Sequence, residues 1–300
     1  MYRGRFAPSP TGPLHFGSLV AAVGSYLDAK AHGGAQHSEW LLRIEDIDTP
    51  RNVAGAADDI LRTLEAFGMA WDGPVVYQSA RTDAYQAALE QLRSRGTLYG
   101  CACTRREIAD SGIHGIDGPV YPGTCSGGLP AGRAARALRV RTQGAHITFE
   151  DYIQGTITQD IEQEVGDFVV GRADGLMAYQ LAVVVDDAAQ EITNVVRGAD
   201  LLDSTPRQIL LQRLLELPTP HYAHLPVAIN DKGEKLSKQT RAHAISTQKP
   251  APDLVNVLSF LGLQPPAELL QAGLTPLWEW AVTNWQYGRI PPLRSRLATG

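Results

Sequence analysis

The sequence predicts an α/β protein. Segments of strand length and segments with a helical apolar period alternate along most of the 300 residues, which is the pattern of sheets whose strands are joined by helices. A content of 44% hydrophobic and 20% charged residues is that of a folded chain long enough for a large core and a second unit. We find no internal repeat and no low-complexity segment.

The first third of the chain reads as strand and helix in turn. Residues 3–7 read as a short strand, and prolines and a glycine at 8–13 confine the turn after it. Residues 18–31 repeat apolar side chains on one helical face, including Leu19, Val23 and Leu27. A second strand at 39–44 leads into the acidic loop EDIDTPR at 45–51. Helices are expected at about 54–67 and 82–95.

The pattern breaks at 100–130, where glycines and all three cysteines occur, and then resumes. RALRVRT and ITFEDYIQGTITQD read as strands. The following segments predict a helix at 177–188, a strand at 192–198, a helix at 205–217 and a strand at 224–230 that leads into KLSKQ. Beyond Lys249 the chain is helical and punctuated by prolines, with Trp278, Trp280 and Trp285 available for a small core.

Composition limits the class of protein. No apolar run approaches the roughly 20 residues of a membrane helix, and the N-terminus lacks a signal-peptide pattern, so we expect a cytoplasmic protein without a membrane partner. Three cysteines within 101–125 favour a local metal or thiol site over a disulfide framework. A net charge of −5 gives no global attraction to nucleic acid, so RNA binding would need a local basic surface.

The segment RFAPSPTGPLHFGS, from Arg5 to Ser18, has the features of an anion site. A strand that ends in a tight turn and feeds a helix presents free N–H groups and the positive end of the helix dipole. Gly17 permits close approach to the backbone, and His15 can donate to a phosphate oxygen. The same residue types also occur in ordinary strand-to-helix turns. KLSKQ is either a solvated loop or a lysine clamp opposite a phosphate.

Together the two segments resemble the signature pair of class I aminoacyl-tRNA synthetases. HFGS resembles the HIGH-type motif at His15 and Gly17, and KLSKQ resembles the KMSKS-type motif at Lys235, Ser237 and Lys238. The chain departs at Ser18 and Gln239, where the family has His and Ser. RFAPSPTGPLHFGS with LLRIEDIDTPR is similar to the glutamyl and glutaminyl branch of that class. The resemblance covers about residues 2–239.

This resemblance implies a Rossmann-like, doubly wound parallel sheet as the catalytic domain. It would span residues 1–240, interrupted by an insert at about 96–170, with a short helical region at 241–300. It also implies an ATP site at His15, Gly17, Lys235, Ser237 and Lys238, with Mg²⁺ on the phosphates. His15, Lys235 and Lys238 would be the catalytic members, because they would hold the triphosphate and the leaving pyrophosphate.

The resemblance further assigns a glutamate site to Arg5, Ser9, Glu45, Tyr179 and Arg197. A ligand with two carboxylates and one ammonium needs cationic forks and an anion in one pocket. Glu45 would meet the ammonium, Arg5 and Arg197 would hold carboxylates, with Arg197 at the side-chain end, and Tyr179 would add a hydroxyl. Individually, Glu45 could instead pair with Arg43 or Arg51, and Arg197 could be a surface charge at a strand end.

The insert contains CAC at 101–103 and YPGTC at 121–125. Three thiolates and a phenolate make a possible tetrahedral zinc site; three unremarkable thiols are the alternative. Resemblance to a shortened paralogue of the glutamyl enzymes favours the metal. We expect a structural Zn²⁺ held by Cys101, Cys103, Tyr121 and Cys125, away from the chemistry, while His114 remains an alternative fourth ligand.

That paralogue family is suggested by length, since only 62 residues (300 minus 238) follow Lys238, where glutamyl-tRNA synthetases carry large anticodon-binding domains. The chain resembles the glutamyl-queuosine tRNA(Asp) synthetases. The implied activity is ATP-dependent activation of L-glutamate without tRNA, then transfer to the cyclopentenediol of queuosine in the anticodon of tRNA(Asp), by a monomer. Alternatives are a minimal synthetase charging a tRNA 3′ end, a nucleotidyltransferase acting on a metabolite, and a silent tRNA-binding paralogue.

Overall fold

The computed structural model describes residues 1–110, 114–116, 118–236 and 245–298, with only the backbone at 33–36. Ser237, Lys238 and Gln239 of the second motif lie outside the described residues. The helices are α1 Phe16–His37, α2 Ala56–Ala66, α3 Thr82–Ser94, α4 Arg105–Ala109, α5 Ile161–Glu164, α6 Tyr179–Ala189, α7 Thr205–Leu215, α8 Pro250–Phe260, α9 Leu269–Ala272 and α10 Leu274–Asn284.

The strands are β1 Tyr2–Phe6, β2 Ser38–Ile44, β3 Val76–Tyr77, β4 Leu98–Cys101, β5 His114–Gly115, β6 Gly118–Pro119, β7 Ala137–Val140, β8 His146–Asp151, β9 Gly155–Asp160, β10 Phe168–Gly171, β11 Asn194–Gly198, β12 His221–Leu225, β13 Val227–Ile229 and β14 Ser295–Leu297. Short 3-10 turns occupy Thr49–Arg51, Gln78–Arg81, Ala199–Ser204 and Tyr287–Arg289. The alternation of helices and strands confirms the α/β prediction.

Two groups of parallel strands lie side by side. Strands β1, β2 and β3 pair in parallel in that order, and β11 pairs in parallel with β12. The groups meet where Thr193 N–H donates to the carbonyl of Arg3 at 2.9 Å. Beyond β12, the antiparallel hairpin β8–β9 completes the second group. Consequently the carboxyl ends of β1, β2, β11 and β12 open toward one region.

Helix α1 covers the junction of these strands. Its apolar face, with Leu19, Val23 and Leu27, is fully buried, as the helical spacing predicts. At Gly24 the strand layer approaches so closely that an added Cβ would lie 2.4 Å from Leu225 Cδ1. The helix begins two residues before the predicted start and continues past Ala31 to His37.

A further small sheet lies within residues 98–171. Strands β4, β7 and β10 form an antiparallel sheet in the order β10–β7–β4. Helix α4 follows β4 and starts with a capping box, in which Thr104 and Glu107 satisfy each other's backbone N–H groups. This sheet carries the cysteine-containing loops on one edge.

The predicted single strand at 224–230 is wrong. Strand β12 begins earlier, at His221, and ends at Leu225, while β13 covers Val227–Ile229 and pairs with β14 in another sheet. Pro226 separates the two because it has no N–H to donate to a ladder. The chain therefore changes sheets at Pro226.

The C-terminal helices do not form a small core of their own. Trp278 and Trp285 are buried in the same core as α1, and Trp280 packs against it. Trp278 Nε1 donates to the Phe67 carbonyl at 2.8 Å, and Trp285 Nε1 donates to Asp28 Oδ1 at 2.8 Å. The expectation of a separate tryptophan core is therefore wrong. Among the described residues, no helix combines the length and apolarity needed to cross a membrane.

Candidate active site

A cavity of about 1020 Å³ opens at the carboxyl ends of β1, β2, β11 and β12. The residues predicted to bind glutamate and ATP line it wherever the structure describes them: Arg5, Ser9, His15, Gly17, Glu45, Tyr179, Arg197 and Lys235. These residues come from distant parts of the chain, and the parallel strands bring them together because their ends share one edge. Ser237 and Lys238 belong to the same predicted site but lie outside the described residues.

The turn before α1 forms one wall of the cavity. His15 is the N-cap of α1, and its Nδ1 accepts the Ser18 N–H at 3.3 Å. Ser18, where the family motif has a second His, places its Oγ 3.1 Å from His15 Nε2. An added Cβ on Gly17 would lie 3.3 Å from the His15 ring and 3.3 Å from the Leu236 carbonyl oxygen. The first motif therefore touches the start of the second.

Arg5 and Glu45 belong to a buried charge cluster. Arg5 Nε donates to Asp187 Oδ1 at 3.1 Å, and Arg43 Nη2 donates to the same oxygen at 2.8 Å. The pKa of Asp187 is raised by burial but lowered more by Arg5 and Arg43, so it lies below its usual range. Arg43 also lies 3.5 Å from Glu45, a weaker contact than the one with Asp187.

Glu45 has the properties of a cation-binding carboxylate. Burial raises its pKa, and the opposing effects of Arg43 and Arg5 do not cancel that increase. A carboxylate desolvated in this way gains from a cation placed beside it. Two backbone hydrogen bonds, Glu45 N to Pro8 O at 3.0 Å and Val53 N to Pro10 O at 2.9 Å, fix the acidic loop against the turn before α1.

Arg197 lies at the end of β11 and is only 5% exposed, so the alternative of a surface charge at a strand end is wrong. Its guanidinium donates through Nε to His224 Nε2 at 3.1 Å and through Nη2 to Thr205 Oγ1 at 2.9 Å and Gln208 Oε1 at 2.7 Å. Nη1 lies 3.5 Å from Tyr179 Oη. The lining of the cavity therefore includes a buried cation beside a phenol.

Lys235 lies in the loop after β13. Its Nζ pairs with Asp200 Oδ2 at 2.5 Å, and its side chain is half-exposed. An exposed ion pair of this kind exchanges readily with water and ligands. The ion pair lies on the lining of the cavity that Gly17 of α1 also lines.

The cysteines form a cluster apart from this cavity, which we call the thiol cluster: Cys101, Cys103 and Cys125, whose Sγ atoms lie within 4.8 Å of one another. Tyr121 Oη lies 3.4 Å from Cys101 Sγ and 3.8 Å from Cys103 Sγ, and Cys103 and Cys125 Sγ are 3.7 Å apart. Zn–S bonds of about 2.3 Å at tetrahedral angles place sulfurs about 3.8 Å apart, so these four atoms fit one Zn²⁺. His114 is exposed and is not a member of the metal-ligand group.

Sequence reasoning missed the residues that orient the two cavity arginines. Asp187 holds Arg5, whereas Thr205, Gln208 and His224 hold Arg197. Asp187 had a signal, since two adjacent aspartates in the apolar segment YQLAVVVDDA need a cation once that helix is buried. Thr205 and Gln208 lie on one turn of α7 and His224 lies on β12, and no recognised motif contains these three residues.

The arrangement suits a ligand with an anion at each end and a cation between them. Arg5 and Arg197 provide the cations and Glu45 the anion. The N-terminus of α1 and Lys235 add a second group of donors in the same cavity, suited to binding a phosphate. Such a cavity can hold two ligands side by side and align them for reaction.

Curated relatives match almost the whole chain. The chain is 63% identical over 292 residues to a glutamyl-Q tRNA(Asp) synthetase from Dechloromonas aromatica, covering 97% of this chain and 96% of the relative. It is 60% identical over 290 residues to the glutamyl-Q tRNA(Asp) synthetase of Aromatoleum aromaticum, covering 97% and 90%. The relative from Chromobacterium violaceum bears the same name and is 58% identical over 291 residues, covering 97% and 96%.

Solved structures and a family model agree with these relatives. The fold superposes on the glutamate–tRNA synthetase of Elizabethkingia anophelis with a TM-score of 0.79 at 25% identity, covering all of this chain and 68% of that one. A glutamate tRNA ligase from Elizabethkingia meningosepticum, solved with its amino acid, gives a TM-score of 0.78 at 25% identity, covering 99% and 67%. The family model of the catalytic domain of class I tRNA synthetases (E and Q) matches residues 1–117 and 129–268. The chain therefore belongs to the class I tRNA synthetases of the E and Q type.

Proposed function

We propose that this chain is a ligase that activates L-glutamate with ATP, without needing tRNA, and transfers the glutamyl group to queuosine in the anticodon of tRNA(Asp). The observation that carries the first half is the convergence of Arg5, Glu45 and Arg197 in the cavity that also contains His15 and Lys235. Opposite charges at these positions match the two carboxylates and the ammonium of glutamate. The side of the cavity formed by the α1 N-terminus and Lys235 is suited to the phosphates of ATP.

In this proposal the carboxylate oxygen of glutamate attacks the α-phosphorus of ATP in line, forming glutamyl-adenylate and releasing pyrophosphate. The protein needs no nucleophile, because positioning and charge stabilisation carry the step. Glutamate would lie with its ammonium at Glu45, its side-chain carboxylate at Arg197 and Tyr179, and its α-carboxylate near Arg5. Ser9 would contribute a hydroxyl to the same ligand.

The ATP site would use the helix N-terminus, His15 and the close backbone approach at Gly17. Lys235, together with Lys238 and Ser237 of the second motif, would stabilise the charge that develops on pyrophosphate. Mg²⁺ would accompany ATP on its phosphate oxygens. This assignment is supported by the contact between Gly17 and Leu236, which brings the two motifs together.

The acceptor is inferred from the relatives. Those that match 97% of this chain at 58–63% identity are named glutamyl-Q tRNA(Asp) synthetases. A hydroxyl of the queuosine cyclopentenediol would attack the mixed anhydride and release AMP. An unpaired anticodon loop can splay its bases outward into a pocket, so the same cavity could receive the modified base.

Two measurements test this function. Without tRNA, the chain should catalyse ATP–pyrophosphate exchange with glutamate and not with the other amino acids. An isolated anticodon stem-loop of tRNA(Asp) with queuosine should then be glutamylated, whereas the same stem-loop with guanosine should not. Glutamylation only at the 3′ end of an intact tRNA would indicate a minimal synthetase, exchange with another acid a metabolite enzyme, and no exchange at all a silent tRNA-binding paralogue.

We also propose the domain division that this function implies. Residues 1–240 would be the catalytic domain, with the two parallel strand groups acting as one doubly wound Rossmann-like sheet, interrupted by an insert at about 96–170. Residues 241–300 would be a short helical region. Function as a monomer is part of the same proposal.

The thiol cluster with Tyr121 is proposed to hold one structural Zn²⁺. Its sulfur spacing and the Tyr121 hydroxyl support a closed four-ligand site, and none of its residues lines the cavity. Cys103→Ser should lower the zinc content of the purified chain and destabilise the insert, because metal binding contributes folding free energy.

Substitutions at the two candidate fourth ligands test the proposed ligand set. Tyr121→Phe should weaken zinc binding, whereas His114→Ala should retain the metal. Wild-type protein that folds fully with no zinc by elemental analysis would refute the site.

A further inference from the structure

A buried chain of hydrogen bonds leads from β8 to the cavity through Asp151 and His224, neither of which lines the cavity itself. Asp151 Oδ2 lies 2.6 Å from His224 Nδ1, and His224 Nε2 lies 3.1 Å from Arg197 Nε. All three side chains are at most 5% exposed. Asp151 ends β8, His224 lies on β12 and Arg197 lies on β11, so three neighbouring strands contribute one residue each.

The two outer partners determine which nitrogen of His224 carries the proton. Arg197 Nε can only donate a hydrogen bond, so His224 Nε2 must accept; the Asp151 carboxylate can only accept, so Nδ1 must donate. Burial and the neighbouring Arg197 together lower the pKa of His224 to about 4, against the opposing effect of Asp151. The imidazole is therefore neutral near pH 7, with its proton on Nδ1.

This tautomer contributes to the orientation of Arg197. Arg197 Nε donates to His224, and Nη2 donates to Thr205 and Gln208. Two of the three guanidinium nitrogens therefore already have protein partners. Nη1 makes only the 3.5 Å contact with Tyr179 among the hydrogen bonds found in the described part of the chain. Nη1 is thus the nitrogen with donor capacity left for a ligand in the cavity.

We infer that Asp151 and His224 are positioning residues, which hold Arg197 with Nη1 toward the cavity and thereby set the preference for a carboxylate over a carboxamide at the end of the substrate side chain. The inference rests on the proposed function, in which that side chain belongs to glutamate. A long arginine side chain that is held in place before the ligand arrives loses less entropy on binding and keeps its charge where the carboxylate forms its bonds.

Asp151→Asn tests the inference with almost no change in shape. Asp151 Oδ1 accepts from the backbone N–H groups of Ile153, Gln154 and His224 at 3.0, 2.8 and 3.1 Å. Three donors retain the amide oxygen of Asn at that position, so the amide NH₂ faces His224 Nδ1. The histidine must then carry its proton on Nε2, which places two donors against each other at Arg197.

In pyrophosphate exchange without tRNA, Asp151→Asn should raise the KM for glutamate and leave the KM for ATP unchanged. The ratio of kcat/KM for glutamate to that for glutamine should fall about 10- to 100-fold, as expected when a buried charged group loses a hydrogen bond. Asp160→Asn is the matched control, because Asp160 also faces a histidine, His146, on the same hairpin but at an exposed position. That variant should behave like wild type.

A second pair of variants decides the question if Asp151→Asn does not fold. His224→Gln supplies an amide oxygen that can accept from Arg197, and His224→Phe keeps a ring without an acceptor. We expect the Gln variant to retain more of the glutamate preference than the Phe variant. Equal preference in both variants would overturn the inference.

The outcome also separates this inference from the proposed function. A wild-type chain that does not exchange with glutamate would overturn both. A wild-type preference for glutamate that Asp151→Asn keeps, with normal folding by thermal unfolding, would overturn the positioning role alone. A general loss of stability with an unchanged glutamate-to-glutamine ratio would likewise show that Asp151 is only structural.

Discussion

Glu45 connects the protonation state of the cavity to the binding of an amino acid. Its carboxylate must be ionised to attract an ammonium, and burial raises its pKa above the ordinary value. Glutamate binding should therefore weaken as the pH falls through this raised pKa, because protonation removes the negative charge. Above this raised pKa the carboxylate is ionised and binding is strongest.

We expect the KM for glutamate in pyrophosphate exchange to rise on acidification in the wild type. Glu45→Gln should raise that KM by about 10-fold or more at neutral pH and should flatten its pH dependence to what the substrate's own carboxylates contribute. Glu39→Gln, at the opposite end of β2, serves as the control. Identical pH profiles for wild type and Glu45→Gln would show that Glu45 does not meet the ammonium.

Lys235 is expected to act on the leaving group and not on the amino acid. Lys235→Ala should slow pyrophosphate exchange on the order of 100-fold, the usual effect of losing a donor aimed at developing charge, and should change the KM for glutamate little. Lys232→Ala, an exposed lysine three residues earlier, should exchange at the wild-type rate. Equal rates in the two variants would remove Lys235 from the mechanism.

At the scale of single residues, the sequence predicted which side chains line the cavity better than it predicted the contacts that orient them. Arg5, Glu45, Tyr179 and Arg197 could be named because each lies in or beside a motif that resembles a family. His224 could not, since its partners Asp151 and Arg197 are 73 and 27 residues away. Such a network exists only after β8, β11 and β12 lie side by side.

Among the elements, long amphipathic helices were predicted better than short strands. Helix α3 lies within one residue of its predicted ends, because its period and its boundaries are local properties of the sequence. Strand β3 has two residues, too few for any periodicity, and it exists through pairing with β2. The sheet change at Pro226 could have been inferred from the proline alone, since a proline is disfavoured inside a central strand.

The end of α8 depends on one glycine. Gly262 has a φ of +91°, and the bond from Leu263 N to Leu258 O at 2.9 Å closes a Schellman-type end. An added Cβ would lie 2.2 Å from the Arg289 carbonyl oxygen. This position therefore combines a left-handed backbone with close contact to the 3-10 turn at Tyr287–Arg289.

Gly262→Ala should lower the free energy of unfolding by about 2–4 kcal/mol, since left-handed strain of about 1–2 kcal/mol is added to a clash with backbone. Gly55→Ala isolates the strain, because Gly55 has a φ of +79° and nothing within 4 Å of the added Cβ; it should cost about 1 kcal/mol. Urea denaturation measures both. Equal losses would mean that the contact with Arg289 contributes nothing.

At the scale of the whole molecule, one carboxylate joins the beginning and the end of the described chain. Asp28 on α1 accepts from the hydroxyls of Tyr2 and Tyr287 and from Trp285 Nε1, and it is fully buried. His32 Nδ1 lies 3.0 Å from Asp28 Oδ1. Because α8 and α10 share the core of α1, these contacts link the C-terminal helices to the sheet.

Asp28→Ala should destabilise the protein by about 2–5 kcal/mol, because it leaves several buried donors without an acceptor. Asp203→Ala removes a different link to the C-terminal residues, the solvent-accessible pair between Asp203 and Arg294, and should cost less than about 1 kcal/mol. Thermal unfolding measures the difference. Similar losses for both substitutions would contradict the central role assigned to Asp28.

The tryptophans of the shared core also provide an intrinsic fluorescence signal. Of its five tryptophans, Trp40, Trp278 and Trp285 are buried, and none of the five lines the cavity. Their fluorescence should therefore have a blue-shifted emission in the native state and should respond weakly to ligands. A red shift would instead report that the C-terminal helices have separated from α1, so emission spectra can follow that separation without any attached dye.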